Sequence, residues 1–199
     1  VSRRAYLRTA MKRLAKLAQA LGIGVLIFGL LFVYMTREVQ AAITFDASAN
    51  NQTTSVSSFG VQITTAGTNL LVVGCVGLRD AVDADLDVTG MTLGGDTMTI
   101  AREDVSLVDD FRTEIWYITA SSTGNYPMVA TLAGTNSNIA MAAMSFNGAA
   151  QSGVLDQVNG IAPGAGDPRI TLTGIAEGAI IVDCVVLNDA ADITAAANQ

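Results

Sequence analysis

No histidine occurs in the 199 residues, and that absence removes the commonest general base, metal ligand and activator of a serine or cysteine nucleophile. Serine- and cysteine-type triads in their histidine form are excluded with it. Lysine is missing after Lys16, which leaves Arg79, Arg102, Arg112 and Arg169 as the basic side chains downstream of residue 41. Proline occurs three times. Pro163 and Pro168 share one loop and Pro127 opens a strand, so no strand pattern is interrupted by a residue that cannot donate to a ladder. Aromatics are scarce at 6%, which limits any sugar-stacking platform to Trp116, Tyr117, Tyr126 and Phe111.

The long apolar run that is present, Ala20 to Met35, follows a basic flank of Arg3, Arg4, Arg8, Lys12, Arg13 and Lys16 and precedes a short polar piece ending Val39-Gln40-Ala41. This order reads as an N-terminal hydrophobic helix, with residues 1–41 either a signal peptide cut after Ala41 or a retained membrane anchor that touches the bilayer through residues 20–36 if uncleaved; a buried helix of a soluble domain is the remaining alternative, outside these two. Both readings export residues 42–199 to a secreted, periplasmic or cell-surface location. Seven of the eleven basic residues lie in that leader, with Glu38 its one acid, so the exported part carries 4 − 17 = −13 formal charges. Such a field repels phosphate backbones and argues against nucleic acid as a partner.

The remaining 199 − 41 = 158 residues suffice for one domain with a real core. Their richness in Gly, Thr, Ser, Ala and Val favours short strands joined by tight turns over helices. Ile43 to Asp46 reads as a short strand, Asn50-Asn51-Gln52 as a polar turn, and Thr53 to Thr64 as a weak edge strand. Asn69 to Leu78 is a central strand by its near-continuous apolar run. Val88 to Leu93, Gly94-Gly95 and Asp96 to Ala101 form a hairpin, because adjacent glycines supply the positive φ of a primed turn. Phe111 to Ala120 alternates Phe111, Thr113, Ile115, Tyr117 against Arg112, Glu114, Trp116, Ile118. Pro127 to Leu132 and Asn138 to Phe146 follow as strands, then Arg169 to Thr173 and a second central-type strand, Gly178 to Leu187.

Three sets of residues carry possible chemistry. Asp83, Asp85 and Asp87 have the every-second-residue carboxylate spacing of calcium loops, without the glycine and distal glutamate of an EF-hand, so calcium is the cofactor this stretch admits and a solvated acidic loop is the plainer reading. Trp116 and Tyr126 are the ligand-binding candidates for a sugar surface. Cys75 and Cys184 sit in similar apolar settings, LeuLeuValValGlyCysVal and IleIleValAspCysValVal; export allows a disulfide between them, and two buried thiols that never meet is the alternative. Glu114, the strand acid beside aromatics, reads as an acid on a solvated sheet face, and nothing in the sequence places two acids facing each other on strands as a glycosidase requires.

The run LeuLeuValValGly, the hairpin Val88 to Thr99, the strand Glu114-Ile115-Trp116-Tyr117, the turn Ser122-Thr123-Gly124 and the segment Ala143-Met144-Ser145-Phe146-Asn147-Gly148 resemble a recurrent secreted β-sandwich domain of bacterial extracellular and phage-associated proteins. The likeness implies a fold and no catalytic residues. Members of that group continue with at least one more strand, so it also implies a domain truncated at its C-terminus. The expectation is therefore an all-β, antiparallel β-sandwich of jelly-roll or immunoglobulin-like type, acting as a non-enzymatic surface or structural interaction module, with a carbohydrate-binding module as the alternative.

Overall fold

Extended segments dominate because β-branched and apolar residues alternate with polar ones between glycine and asparagine turns. The computed structural model describes residues 42–79, 87–106, 111–120, 123–136, 138–160 and 170–185, which all fall within one compact unit, Ala41–Gln199. The expected hydrophobic helix and its membrane contact lie outside the described residues. Among the described residues nine strands are formed: β1 Thr44–Thr53, β2 Val56–Thr65, β3 Leu70–Arg79, β4 Val88–Leu93, β5 Asp96–Thr97, β6 Thr99–Ser106, β7 Phe111–Ala120, β8 Gly124–Asn136 and β9 Asn138–Asn147.

The strands form two wholly antiparallel sheets, one of order β1-β9-β3-β7-β6 and one of order β2-β8-β4-β5. The pairings nest about the β4–β5 hairpin: β1 with β9, β2 with β8, β3 with β7. Three further pairings, β3 with β9, β4 with β8 and β6 with β7, complete the two sheets. Both sheets contribute to one core, with Ile63, Met91 and Met128 from the smaller sheet against Val72, Val76, Trp116 and Met141 from the larger. This all-β arrangement is compatible with a β-sandwich. Gly74 lies in the middle of β3, where a Cβ would come within 2.9 Å of the sulfurs of both Met91 and Met128. Glycine there admits the two flexible thioethers from the facing sheet.

The central strand β3, the strand β7 and the strand reading of residues 138–146 agree with the fold, and the Gly94-Gly95 turn takes φ of 61° and 98° as a primed turn demands. Three readings are corrected. Asn50-Asn51-Gln52 is not a turn: it continues β1 opposite Ala142, Met141 and Ala140, and the chain reverses after Thr53, at Ser55 with φ 57°. Polar side chains are tolerated there because β1 is an edge strand, and Asn51 donates to the Gly60 carbonyl at 3.1 Å. The second arm of the hairpin is not one strand either. Asp96–Thr97 pairs with β4, then the chain crosses at buried Met98 and continues from Thr99 in the other sheet against β7.

The third correction concerns residues 170–173 and 178–185, which form no strand. Ile180 and Val182 pack instead on the outer face of the larger sheet, over Leu71, Val73 and Phe146, with Ile115, Tyr117, Met144 and Val154 around them. That face is apolar because β3 and β9 are hydrophobic on both sides. An extended strap can cover such a face without joining a ladder.

Candidate functional site

The densest group of charged side chains in the described residues is built around Arg112 on β7. Its Nε donates to Glu114 Oε1 at 2.5 Å, Nη1 to Asp87 Oδ1 at 2.5 Å and Nη2 to Glu103 Oε2 at 2.7 Å. Three carboxylates thus surround one guanidinium. The strand period of two places Arg112, Glu114 and Trp116 on one face, and the β6–β7 register sets Glu103 directly opposite Glu114, so two acids do face each other on neighbouring strands, against the expectation, with Arg112 bonded to both. Asp87 enters from the residue before β4, and its own carbonyl accepts from Ala133 N at 2.8 Å.

Glu114 is fully buried, which overturns its reading as an acid on a solvated face. Its second oxygen accepts the indole N–H of Trp116 at 2.7 Å, so both oxygens are engaged. A carboxylate is tolerated between the sheets because Arg112 and Trp116, two residues away on either side, supply the donors that water would otherwise provide. Burial raises the Glu114 carboxyl above the ordinary range, and the bonds from Trp116 and Arg112 draw it partly back. The pattern Arg-x-Glu-x-Trp on one strand face was the signal in the sequence for this arrangement. With every nitrogen of Arg112 and both oxygens of Glu114 committed, the group ties the start of β4 to β6 and β7.

Asp87 is therefore paired with Arg112, whereas Asp83 and Asp85 lie outside the described residues. Among the described residues, no group of three or more Asp, Glu, Cys or His side chains is arranged to hold a metal ion. Trp116 is 8% exposed, with its ring in the core. Tyr126 is half-buried at the start of β8; its ring covers Gly94, where a Cβ would meet it at 2.8 Å, and its hydroxyl donates to the Thr123 carbonyl at 3.4 Å. The two aromatics belong to different sheets and make no common platform.

Cys75 on β3 and Cys184 on the strap form a disulfide with Cα atoms 5.8 Å apart, closing a loop of sequence separation 109. Cys75 lies on the outer face because β3 turns Val72, Val76 and Leu78 inward. A disulfide is compatible with an oxidising, extracellular environment. On the same face Gly160 approaches the ion pair of Arg102 and Asp104 so closely that a Cβ would meet Asp104. No helix among the described residues is long and apolar enough to cross a membrane, a statement that does not bear on β-barrels.

No family model, curated protein or solved structure matches the chain.

Proposed function

We propose that residues 42–199 are an exported, non-enzymatic surface or assembly module built on a jelly-roll sandwich. The nested pairing of β1 with β9, β2 with β8 and β3 with β7 supports a jelly roll over an immunoglobulin-like sandwich, since a rolled long hairpin generates that order. The observation that carries the function is the Cys75–Cys184 bond, which fixes an extended strap with outward-facing Ile181 and Val185 on a rigid sheet. A covalently pinned apolar strip suits contact with another macromolecule more than turnover of a small one. The test is expression of the full chain with a C-terminal tag, followed by protease treatment of intact cells and mass analysis of alkylated protein. Export with both cysteines closed is expected. Retention inside the cell with two alkylatable thiols would overturn the reading.

A carbohydrate-binding module is the second reading, resting on the half-exposed Tyr126 ring, because Trp116 faces the core. It requires glycan binding that Tyr126→Ala abolishes. Calcium at Asp83, Asp85 and Asp87 fits either reading, at the affinity of about 10⁻⁴–10⁻³ M typical of extracellular modules. The ion would compete with Arg112 for Asp87, so a melting midpoint raised by millimolar calcium over chelator is expected, and an identical midpoint in both would remove calcium from the account.

A further inference from the structure

The dipeptide Asn-Gly occurs twice in the sequence, at Asn147-Gly148 and at Asn159-Gly160. A bond from the glycine nitrogen to the asparagine Cγ closes a five-membered ring, and glycine has no Cβ to obstruct the closure. The fold treats the two sites oppositely. Asn147 ends β9 with its Oδ1 packed so tightly on Gly67 that a Cβ there would meet it at 2.0 Å, and the Gly148 N–H donates to the Thr68 carbonyl at 3.2 Å. The nucleophile there is committed elsewhere, and the carboxamide is held against a neighbouring backbone.

Asn159 is exposed to water, and the Gly160 N–H donates to the Oδ1 of Asn159 itself at 2.9 Å. The nitrogen thus already lies beside the carbonyl group it would attack. Asn159 Nδ2 donates to the Thr171 carbonyl at 3.0 Å, which holds the side chain in that orientation. We infer that Asn159-Gly160 is a self-modification site, at which the folded chain deamidates and isomerises, and that the product unfastens the clasp between residues 156–160 and 170–176. The Gly160 N–H gives its proton to hydroxide, and the nitrogen attacks Asn159 Cγ. The Cγ–Nδ2 bond then breaks and ammonia leaves with a proton from water, giving a succinimide. Water opens the ring on either side: cleavage of the new N–Cγ bond gives aspartate, and cleavage of the bond from the nitrogen to the main-chain carbonyl carbon gives isoaspartate.

Two bonds make that clasp, Asn159 Nδ2 to the Thr171 carbonyl and Ala176 N to Asp156 Oδ2 at 2.6 Å. Deamidation replaces the Nδ2 donor with an acceptor-only carboxylate oxygen, so the bond to Thr171 is lost and two oxygens face each other in its place. Isoaspartate also inserts a methylene into the backbone. It does so beside Gly160, which sits so close to the Arg102–Asp104 ion pair that a Cβ would meet Asp104 Oδ2 at 1.9 Å. That seat has no room for an added atom, so the segment must shift, and Asp156 shifts with it away from Ala176.

The experiment incubates the full chain in detergent micelles, with Cys75–Cys184 verified closed, in mildly alkaline buffer with and without concentrated urea, and follows both dipeptides by peptide mapping. Methylation by an isoaspartyl methyltransferase identifies the isoaspartate. In the folded protein Asn159 should convert about 10²-fold faster than Asn147, the factor that misplacing a reacting pair by an ångström costs. In urea only local sequence distinguishes the two dipeptides, so the ratio should collapse toward unity. Asn159→Gln keeps a carboxamide at an exposed position and disfavours ring closure, so that chain should show no conversion there. In the unsubstituted chain, amide exchange at Ala176 should quicken in step with conversion, whereas in Asn159→Gln it should not change with age. No conversion at Asn159 in the folded chain, equal rates at the two sites without urea, or a ratio that urea leaves unchanged would each overturn the self-modification. Conversion without faster exchange at Ala176 would overturn the unfastening.

Discussion

At the scale of single residues, Arg112 and Glu114 are not equivalent partners. Arg112 keeps two other carboxylates if Glu114 is lost, whereas Glu114 has no other cation bonded to it among the described residues. Arg112→Met keeps an apolar stem of similar length and leaves a carboxylate uncompensated between the sheets, so it should cost about 3–5 kcal/mol near neutral pH. The pH dependence follows from the direction of the Glu114 shift. A carboxyl whose folded pKa is raised holds its proton more tightly folded than unfolded. Its charged form therefore weighs against folding above the folded pKa, and that cost is relieved as pH falls toward the unfolded value of about 4.3. Removing Arg112 raises the folded value further. The stability deficit of Arg112→Met, measured by urea denaturation, should then narrow between about pH 7 and about pH 5; a constant or widening deficit would show that another group carries the cost. Gly67 offers a second test, since its φ is +102° and a Cβ would meet the Asn147 side chain at 2.0 Å. Gly67→Ala should lose about 1–3 kcal/mol, and a neutral result would show that Asn147 swings aside and the backbone relaxes.

At the scale of elements, strands with strong side-chain signals were readable and those set by tertiary partners were not. β3, β7 and β9 announce themselves through apolar runs or alternation bounded by Gly and Asn. β1 was visible only to Asp46, because its continuation through Asn50, Asn51 and Gln52 depends on the small residues of β9 opposite it. The exit from β5 at Met98 was invisible because one buried methionine looks the same in a hairpin arm and in a crossing. Alternation puts Glu114 on the face of Trp116, but hydropathy cannot show that this face is buried, because a self-satisfying Arg-x-Glu-x-Trp row is legible only from its donors. The bulge between Phe45 and Ala47 shows how an irregular position becomes structural. Asp46 there accepts from Ala66 N at 2.9 Å and from the fully buried Ser145 Oγ at 2.7 Å. Asp46→Ala should cost about 1–3 kcal/mol through the orphaned donors, whereas Asp96→Ala on exposed β5 should stay within about 0.5 kcal/mol. Thermal melts of the two variants side by side check this, and equal midpoints would refute it.

At the scale of the whole molecule, the sheets and the strap are held by different forces. The sheets share ladders and a common core, while the strap rests on the outer face through a few apolar side chains and one covalent bond. Closing a loop of this length restricts the unfolded chain by about 4.7 kcal/mol in the chain-entropy model. Reduction gives that up and also frees the strap locally, because residues 180–185 join no ladder among the described residues. Once the strap lifts, Leu71, Val73 and Phe146 lose their cover, and a body of formal charge 4 − 17 = −13 has no electrostatic reason to draw it back. Two stages are therefore expected on reduction under native conditions: a non-specific protease should first cut within residues 170–185 while the segment from β1 to β9 stays intact, and only later reach the sheets. Oxidised protein should resist at both places. A digestion pattern indifferent to reductant would show that apolar contact alone holds the strap. Simultaneous loss of strap and sheets would show that the fold is one cooperative unit and that Cys75–Cys184 stabilises all of it.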